Sequence, residues 1–206
     1  MLRVTLLVLF SNIVVVSGQD FGGFGGPDGE GKVCPPFRCS KGQEPVPKWP
    51  LKMESTGCNG MGGMAMFSPK AGADPTAKCC DIRHACYQTC GTLKSYCDQE
   101  FLKCSKATCA SIANEEERKS CDSSASIHEL MVKMDQCQRY DQDQYSRCEC
   151  VDKSKAPAKR ERLLRNFYKK FSPDSLDKVP ALAKKVNNSS KMAGLLLKLV
   201  KKYPQV

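Results

Sequence analysis

The stretch Lys78-Cys79-Cys80-Asp81-Ile82-Arg83-His84-Ala85-Cys86-Tyr87 decides how this chain is read. From Cys79 to Cys90 there is neither Gly nor Pro, and Asp74 or Thr76 stands where a helix N-cap belongs. On such a helix Cys79, Arg83, Cys86 and Cys90 share one face, and Gly91 fits its end. A face lined with cysteines is built for cross-links. Working outward, all 14 cysteines of the 206 residues lie between Cys34 and Cys150: Cys34, Cys39, Cys58, Cys79, Cys80, Cys86, Cys90, Cys97, Cys104, Cys109, Cys121, Cys137, Cys148 and Cys150. Zinc is the weaker reading of this set. No Cys-x-x-Cys pair occurs, adjacent cysteines suit a single metal poorly, and His84 and His128 lack a ligand spacing. Seven intramolecular disulfides are expected, with their pairing left open by the sequence.

The N-terminus agrees with that chemistry. Residues 1–18 read as a secretory signal: Arg3, an apolar stretch of Val4 to Phe10 with Ile13 to Val16, then Ser17-Gly18 before a cut at Gln19. Residues 19–33 are a Gly-rich leader with little to bury. The expected product is secreted and extracellular. From Cys34 to about Pro75, Pro and Gly recur so often that no regular structure is expected. A second helical stretch carries Cys90, Cys97 and Cys104, seven residues apart. A third is expected from about Ser124 to Cys137, with Ile127, Leu130, Met131 and Met134 as its inward stripe. The fold class expected is mainly α: a small disulfide-rich helical core over 34–150.

Cys79-Cys80-x-x-Arg83-His84-x-Cys86-Tyr87 resembles the catalytic helix of secreted phospholipase A2, Cys-Cys-x-x-His-Asp-x-Cys-Tyr, and most of all that of the group XII branch. The likeness continues through Thr89-Cys90-Gly91, Cys97-Asp98, Glu100-Phe101, Cys104 and Cys109. Upstream it takes in Cys34-Pro35, Arg38-Cys39, Pro45-Val46-Pro47 and Gly57-Cys58; downstream, Cys121, Cys137 and Cys148-x-Cys150. It covers residues 34–150 and leaves the leader and the last 56 residues outside.

The resemblance implies hydrolysis of the sn-2 ester of glycerophospholipids. A helix-borne His deprotonates water, and Ca2+ is held by a Gly-rich loop and the Asp after the His. Both positions differ here. The base position is Arg83, which stays protonated and accepts no proton. The calcium carboxylate position is His84, a nitrogen donor unsuited to a hard cation. His84 does not replace the base, because neighbouring helix residues project about 100° apart. Gly57, Asn59, Gly60 and Gly62 occupy the place of the calcium loop and are weak candidates without the carboxylate. Met61, Met64, Met66 and Phe67 follow, suited either to an acyl-chain channel or to core filling. No carboxylate is matched to orient a base; Glu129 and Asp135 are taken as solvated.

Past Cys150 the composition shifts. Residues 151–206 hold 15 basic and 4 acidic side chains, against 17 and 18 in residues 1–150. A boundary near Val151 is expected, followed by a basic amphipathic tail. Leu163, Leu164, Phe167, Tyr168 and Phe171 form one stripe; Met192, Leu195, Leu196, Leu199, Val200 and Tyr203 form another, flanked by Lys198, Lys201 and Lys202. Two readings stay open: helices lying on an anionic membrane, or helices packed on the core with solvated lysines. Asn187 and Asn188 begin two overlapping glycosylation sequons. No nucleic-acid motif is present, so nucleic acid is not an expected partner. The expectation is a phospholipase A2-like protein that has lost hydrolysis and binds phospholipid, an anionic membrane surface or a protein receptor, with no cofactor. The alternative is an active, calcium-dependent phospholipase A2.

Overall fold

Adjacent cysteines on a helix point about 100° apart, so Cys79 and Cys80 reach different neighbours. The computed structural model, which describes residues 34–55, 57–58, 74–134 and 137–203, shows this. Cys80 pairs with Cys58 in the preceding loop, and Cys79 with Cys104 on the next helix. Helix α1 (Ala77–Tyr87) and helix α2 (Lys94–Ala110) follow each other through a six-residue turn. The Cys79–Cys104 and Cys86–Cys97 bridges join early to late positions, so the two helices are antiparallel. Asp74 accepts from the Thr76 backbone N–H and hydroxyl, and Thr76 sits at the α1 N-cap. All 14 cysteines are paired, the remaining bridges being Cys34–Cys137, Cys39–Cys150, Cys90–Cys148 and Cys109–Cys121. The two bridges from Cys34 and Cys39 close 103 and 111 residues of chain. Each such closure stabilises by about 4–5 kcal/mol in the chain-entropy account.

Helix α3 spans Glu115–Met134 and so begins nine residues before the expected start at Ser124. Asn114 accounts for the difference: its side chain accepts from the backbone N–H of Glu116 and Glu117, satisfying the first turn. The rotation of α3 also differs from expectation. Its buried residues are Cys121, His128 and Val132, while Ile127, Leu130 and Met134 are exposed. Helix α4 (Gln138–Arg147) was not anticipated, because its sequence is almost wholly polar. It is held by Tyr140, whose hydroxyl donates to the Thr92 carbonyl, and by Gln144, which donates to the Tyr87 and Thr89 carbonyls.

The Pro-rich segment is not wholly irregular. Strand β1 (Gln43–Pro47) pairs antiparallel with β2 (Cys148–Asp152), Pro45 opposite Cys150 and Pro47 opposite Cys148. The flanking bonds Lys48 N–H to Arg147 O and Lys153 N–H to Gly42 O put the pairing groups on even-numbered residues of the first strand. Pro45 and Pro47 therefore turn their missing N–H groups away from the ladder.

The composition boundary at Val151 is not a break in the structure, for β2 runs across it. Helices α5 (Ala156–Phe171), α6 (Val179–Lys185) and α7 (Ser189–Lys202), with a 3-10 turn at Pro173–Lys178, complete the chain. Leu163, Leu164, Phe167, Val179, Val186, Met192, Leu196 and Leu199 form a core of their own, against which Trp49 and Leu51 pack. The buried Arg160 ties α5 to Glu44 of β1 and donates to the Asn187 carbonyl at 3.2 Å. All described residues fall in one compact unit, 31–206. Among the described residues no helix is long and apolar enough to cross a membrane. The signal segment and the leader lie outside the described residues.

Candidate functional site

Arg83 lies on the face of α1 turned toward α2, where the Cys86–Cys97 bridge brings Asp98 opposite it. The Arg83 Nε donates to Asp98 Oδ1 at 2.7 Å. A second guanidinium nitrogen donates to the Tyr87 hydroxyl at 2.6 Å, and that hydroxyl donates to Asp98 Oδ1 at 2.7 Å. Lys94, one turn before Asp98 on α2, reaches Asp98 Oδ2 at 2.8 Å. The guanidinium carbon also stands 4.5 Å from the Tyr87 ring centroid. One carboxylate thus holds two cations in a place where Arg83 is 3% exposed. A buried pair of this kind is costly to break from one side, by about 3–5 kcal/mol.

Asp98 is the functional residue that sequence reasoning missed. The sequence reading matches no carboxylate to a base and takes Glu129 and Asp135 of the third helix as solvated. Glu129 pairs with Lys133 on the helix surface at 3.0 Å, which holds its carboxyl below the usual range, and Asp135 lies outside the described residues. Asp98 follows Cys97, whose bridge to Cys86 puts it at the α1–α2 seam, and the sequence shows the neighbour but not the bridge.

His84 is also buried, but on another side of α1. Its Nδ1 lies 3.4 Å from the Ser55 hydroxyl, which is hydrogen-bonded to Asp81. Asp81 Oδ1 accepts the Gly57 backbone N–H at 3.0 Å. Asp81, Ser55 and Gly57 thus form one hydrogen-bonded cluster beside α1, and Gly57 takes φ +60° there. Of the loop candidates, Gly57 is placed by the structure; Asn59, Gly60 and Gly62, and the Met residues after them, lie outside the described residues.

His128 of α3 approaches the N-terminal end of α1. Its Nδ1 is 3.2 Å from Thr76 Oγ1 and its Nε2 3.8 Å from Asp74 Oδ2. Burial pushes its pKa below the ordinary imidazole value, partly opposed by the Asp74 charge. His128 also lies beside Cys58 and Cys80. Those two sulfurs are bonded to each other, so no thiolate pair is available to a metal there. Elsewhere, burial raises the Tyr140 hydroxyl well above its usual range.

The family model described as Group XII secretory phospholipase A2 precursor matches residues 21–157. The chain belongs to the group XII secretory phospholipase A2 family. It is 35% identical over 91 residues to the Group XIIA secretory phospholipase A2 of Mus musculus, covering 43% of each chain. To the Homo sapiens protein of that description it is 34% identical over 91 residues, 43% of this chain and 44% of the relative. It is 30% identical over 137 residues to the Group XIIB secretory phospholipase A2-like protein of Mus musculus, 62% of this chain and 69% of the relative. The chain thus spans less than half the length of the group XIIA relatives it matches. No solved structure matches. The group XII match begins at residue 21, so it takes in most of the leader that sequence reading placed outside the resemblance. It ends at residue 157, inside the first turn of α5, and α6 and α7 lie beyond it.

The remaining candidates from the sequence sit in the C-terminal helices. Leu196 and Leu199 are buried and Leu195 is half-buried, whereas Lys198, Lys201 and Lys202 are exposed. The apolar stripe of α7 therefore faces the core. Asn187 and Asn188 are exposed, and the Asn188 side chain caps α7 by accepting from the Lys191 N–H at 2.8 Å.

Proposed function

We propose that this protein is a secreted phospholipase A2-like protein that binds phospholipid surfaces without hydrolysing them. The observation that carries the reading is the Arg83–Asp98 pair. Where the group XII resemblance calls for a neutral imidazole, a guanidinium is held by Asp98 and Tyr87. A guanidinium carries no lone pair for a water proton, so general-base catalysis has no acceptor at that position. Among the described residues the donor set does not suit calcium either. The carboxylate position is His84, and the nearby Asp81 is already engaged by Ser55 and the Gly57 N–H.

Membership of the family supports phospholipid as the partner, and one relative is itself described as phospholipase A2-like. The exposed Lys198, Lys201 and Lys202 add attraction to anionic headgroups. The test is a hydrolysis assay on mixed phospholipid vesicles, with and without Ca2+. The wild type is expected to sediment with the vesicles and release no fatty acid under either condition. The variant pairing Arg83→His with His84→Asp serves as comparison, because Asp98 and Tyr87 are already in place to orient an imidazole. Calcium-dependent turnover by the wild type would overturn the reading.

A further inference from the structure

We propose that the exposed face of α3 bearing Ile127, Leu130 and Met134 is the surface by which the protein lies on a zwitterionic phospholipid bilayer. The inference rests on the phospholipid-binding reading and names the surface that carries it. Helix α3 rests on the body through a narrow seam: Cys121, bridged to Cys109, then His128 against Thr76, and Val132. These pins fix its rotation. Ile127, Leu130 and Met134 lie at i, i+3 and i+7 on a face roughly 150° away from that seam, since successive residues advance about 100°. They are 46%, 58% and 72% exposed.

Isolated exposed apolar residues carry no message, but three in register on one helix face form a patch. The patch is too small for a second copy. Three aliphatic side chains, none wholly exposed, fall short of the about 800 Å2 per partner that a standard protein interface buries. An interfacial helix needs much less, because it sinks only its apolar face into the headgroup boundary. The flanking charge matches that occupant. Lys119 is paired with Glu115 at 2.8 Å and Lys133 with Glu129 at 3.0 Å, so the cations of this helix beside the stripe are neutralised within the helix. Glu116, Glu117 and Asp122 stand on the same helix against Arg118 alone, so its surface has no excess of cations and suits choline or ethanolamine headgroups, which carry no net charge, better than an anionic surface.

The experiment uses the full mature protein with its disulfides formed, sedimented with phosphatidylcholine vesicles. The wild type is compared with Leu130→Asp/Met134→Asp, with the milder Leu130→Ser/Met134→Ser, and with Tyr145→Asp. Tyr145 is exposed on α4 and controls for an added charge at an exposed apolar site. Circular dichroism and a free-thiol assay establish that each variant is folded. The expected result is at least a tenfold loss of bound protein for the aspartate pair, a smaller loss for the serine pair, and less than a twofold change for Tyr145→Asp. Raising the salt should leave wild-type binding to these vesicles nearly unchanged. A wild type that binds no vesicle of any composition overturns the phospholipid reading itself. Normal vesicle binding by both α3 pairs overturns only the assignment to α3. Loss of self-association in sedimentation velocity, with vesicle binding intact, gives the face to a second copy and overturns the proposal.

Discussion

Helices α3 and α7 carry apolar stripes of similar spacing, and the fold uses them in opposite ways. In α7, Met192, Leu196 and Leu199 close a core with Leu164 and Phe167 of α5. In α3, Ile127, Leu130 and Met134 stand in solvent while His128 and Val132 face inward. Periodicity states that a helix has an apolar side; it does not state which neighbour that side meets. Here the neighbours are set by covalent and polar pins. The Cys109–Cys121 bridge and the His128–Thr76 contact turn α3. The Asn188 cap and the Arg160 bond to the Asn187 carbonyl set where α7 starts. The lesson is that a basic amphipathic helix near a chain end can be core, and a helix amid a disulfide framework can be surface.

The sharpest way to break this comparison is to truncate one leucine in each stripe. Leu196→Ala should lower unfolding stability by about 2–5 kcal/mol, the cost of a fully buried leucine. Leu130→Ala should stay within about 0.5 kcal/mol of wild type, as an exposed site does. Urea unfolding of the oxidised protein checks both, and equal losses would mean that α3 is buried in solution. A smaller effect sharpens the comparison at the pin itself. Burial lowers the pKa of folded His128, so below the ordinary value near 6.5 the unfolded chain binds a proton that the folded one resists. Its contribution is therefore full above about pH 6.5, falls as pH drops toward the folded pKa, and levels off below it. Urea midpoints at pH 7.5 and 5.5 should decline for the wild type and less for His128→Gln; parallel declines would remove His128 from the account.

Much of the site was legible in the sequence, because the Cys79-Cys80 to Cys86-Tyr87 spacing fixes α1 and with it the places of Arg83 and His84. Asp98 was not read as their counterpart, since its place depends on the Cys86–Cys97 pairing that sequence leaves open. Strand β1 was hidden by Pro45 and Pro47, which are tolerated because their ring nitrogens face away from β2. Helix α4 was hidden for a different reason: beside the lone Tyr140, its core contribution is Gln144, a polar side chain that bonds Tyr87, Thr89 and Gly91. Hydrophobic patterning is blind to such a residue. The α5–α7 stripes were visible, but their partners Trp49 and Leu51 are more than a hundred residues away in the chain.

The central claim is that Arg83 and His84 have replaced a calcium-assisted hydrolytic pair with one that neither binds the metal nor moves the proton. The most direct measurement is calorimetric titration of Ca2+ into the mature, oxidised wild type. The account predicts no saturable heat for the wild type and a saturable heat for the Arg83→His/His84→Asp variant. Saturable Ca2+ binding by the wild type that disappears in His84→Ala would contradict it.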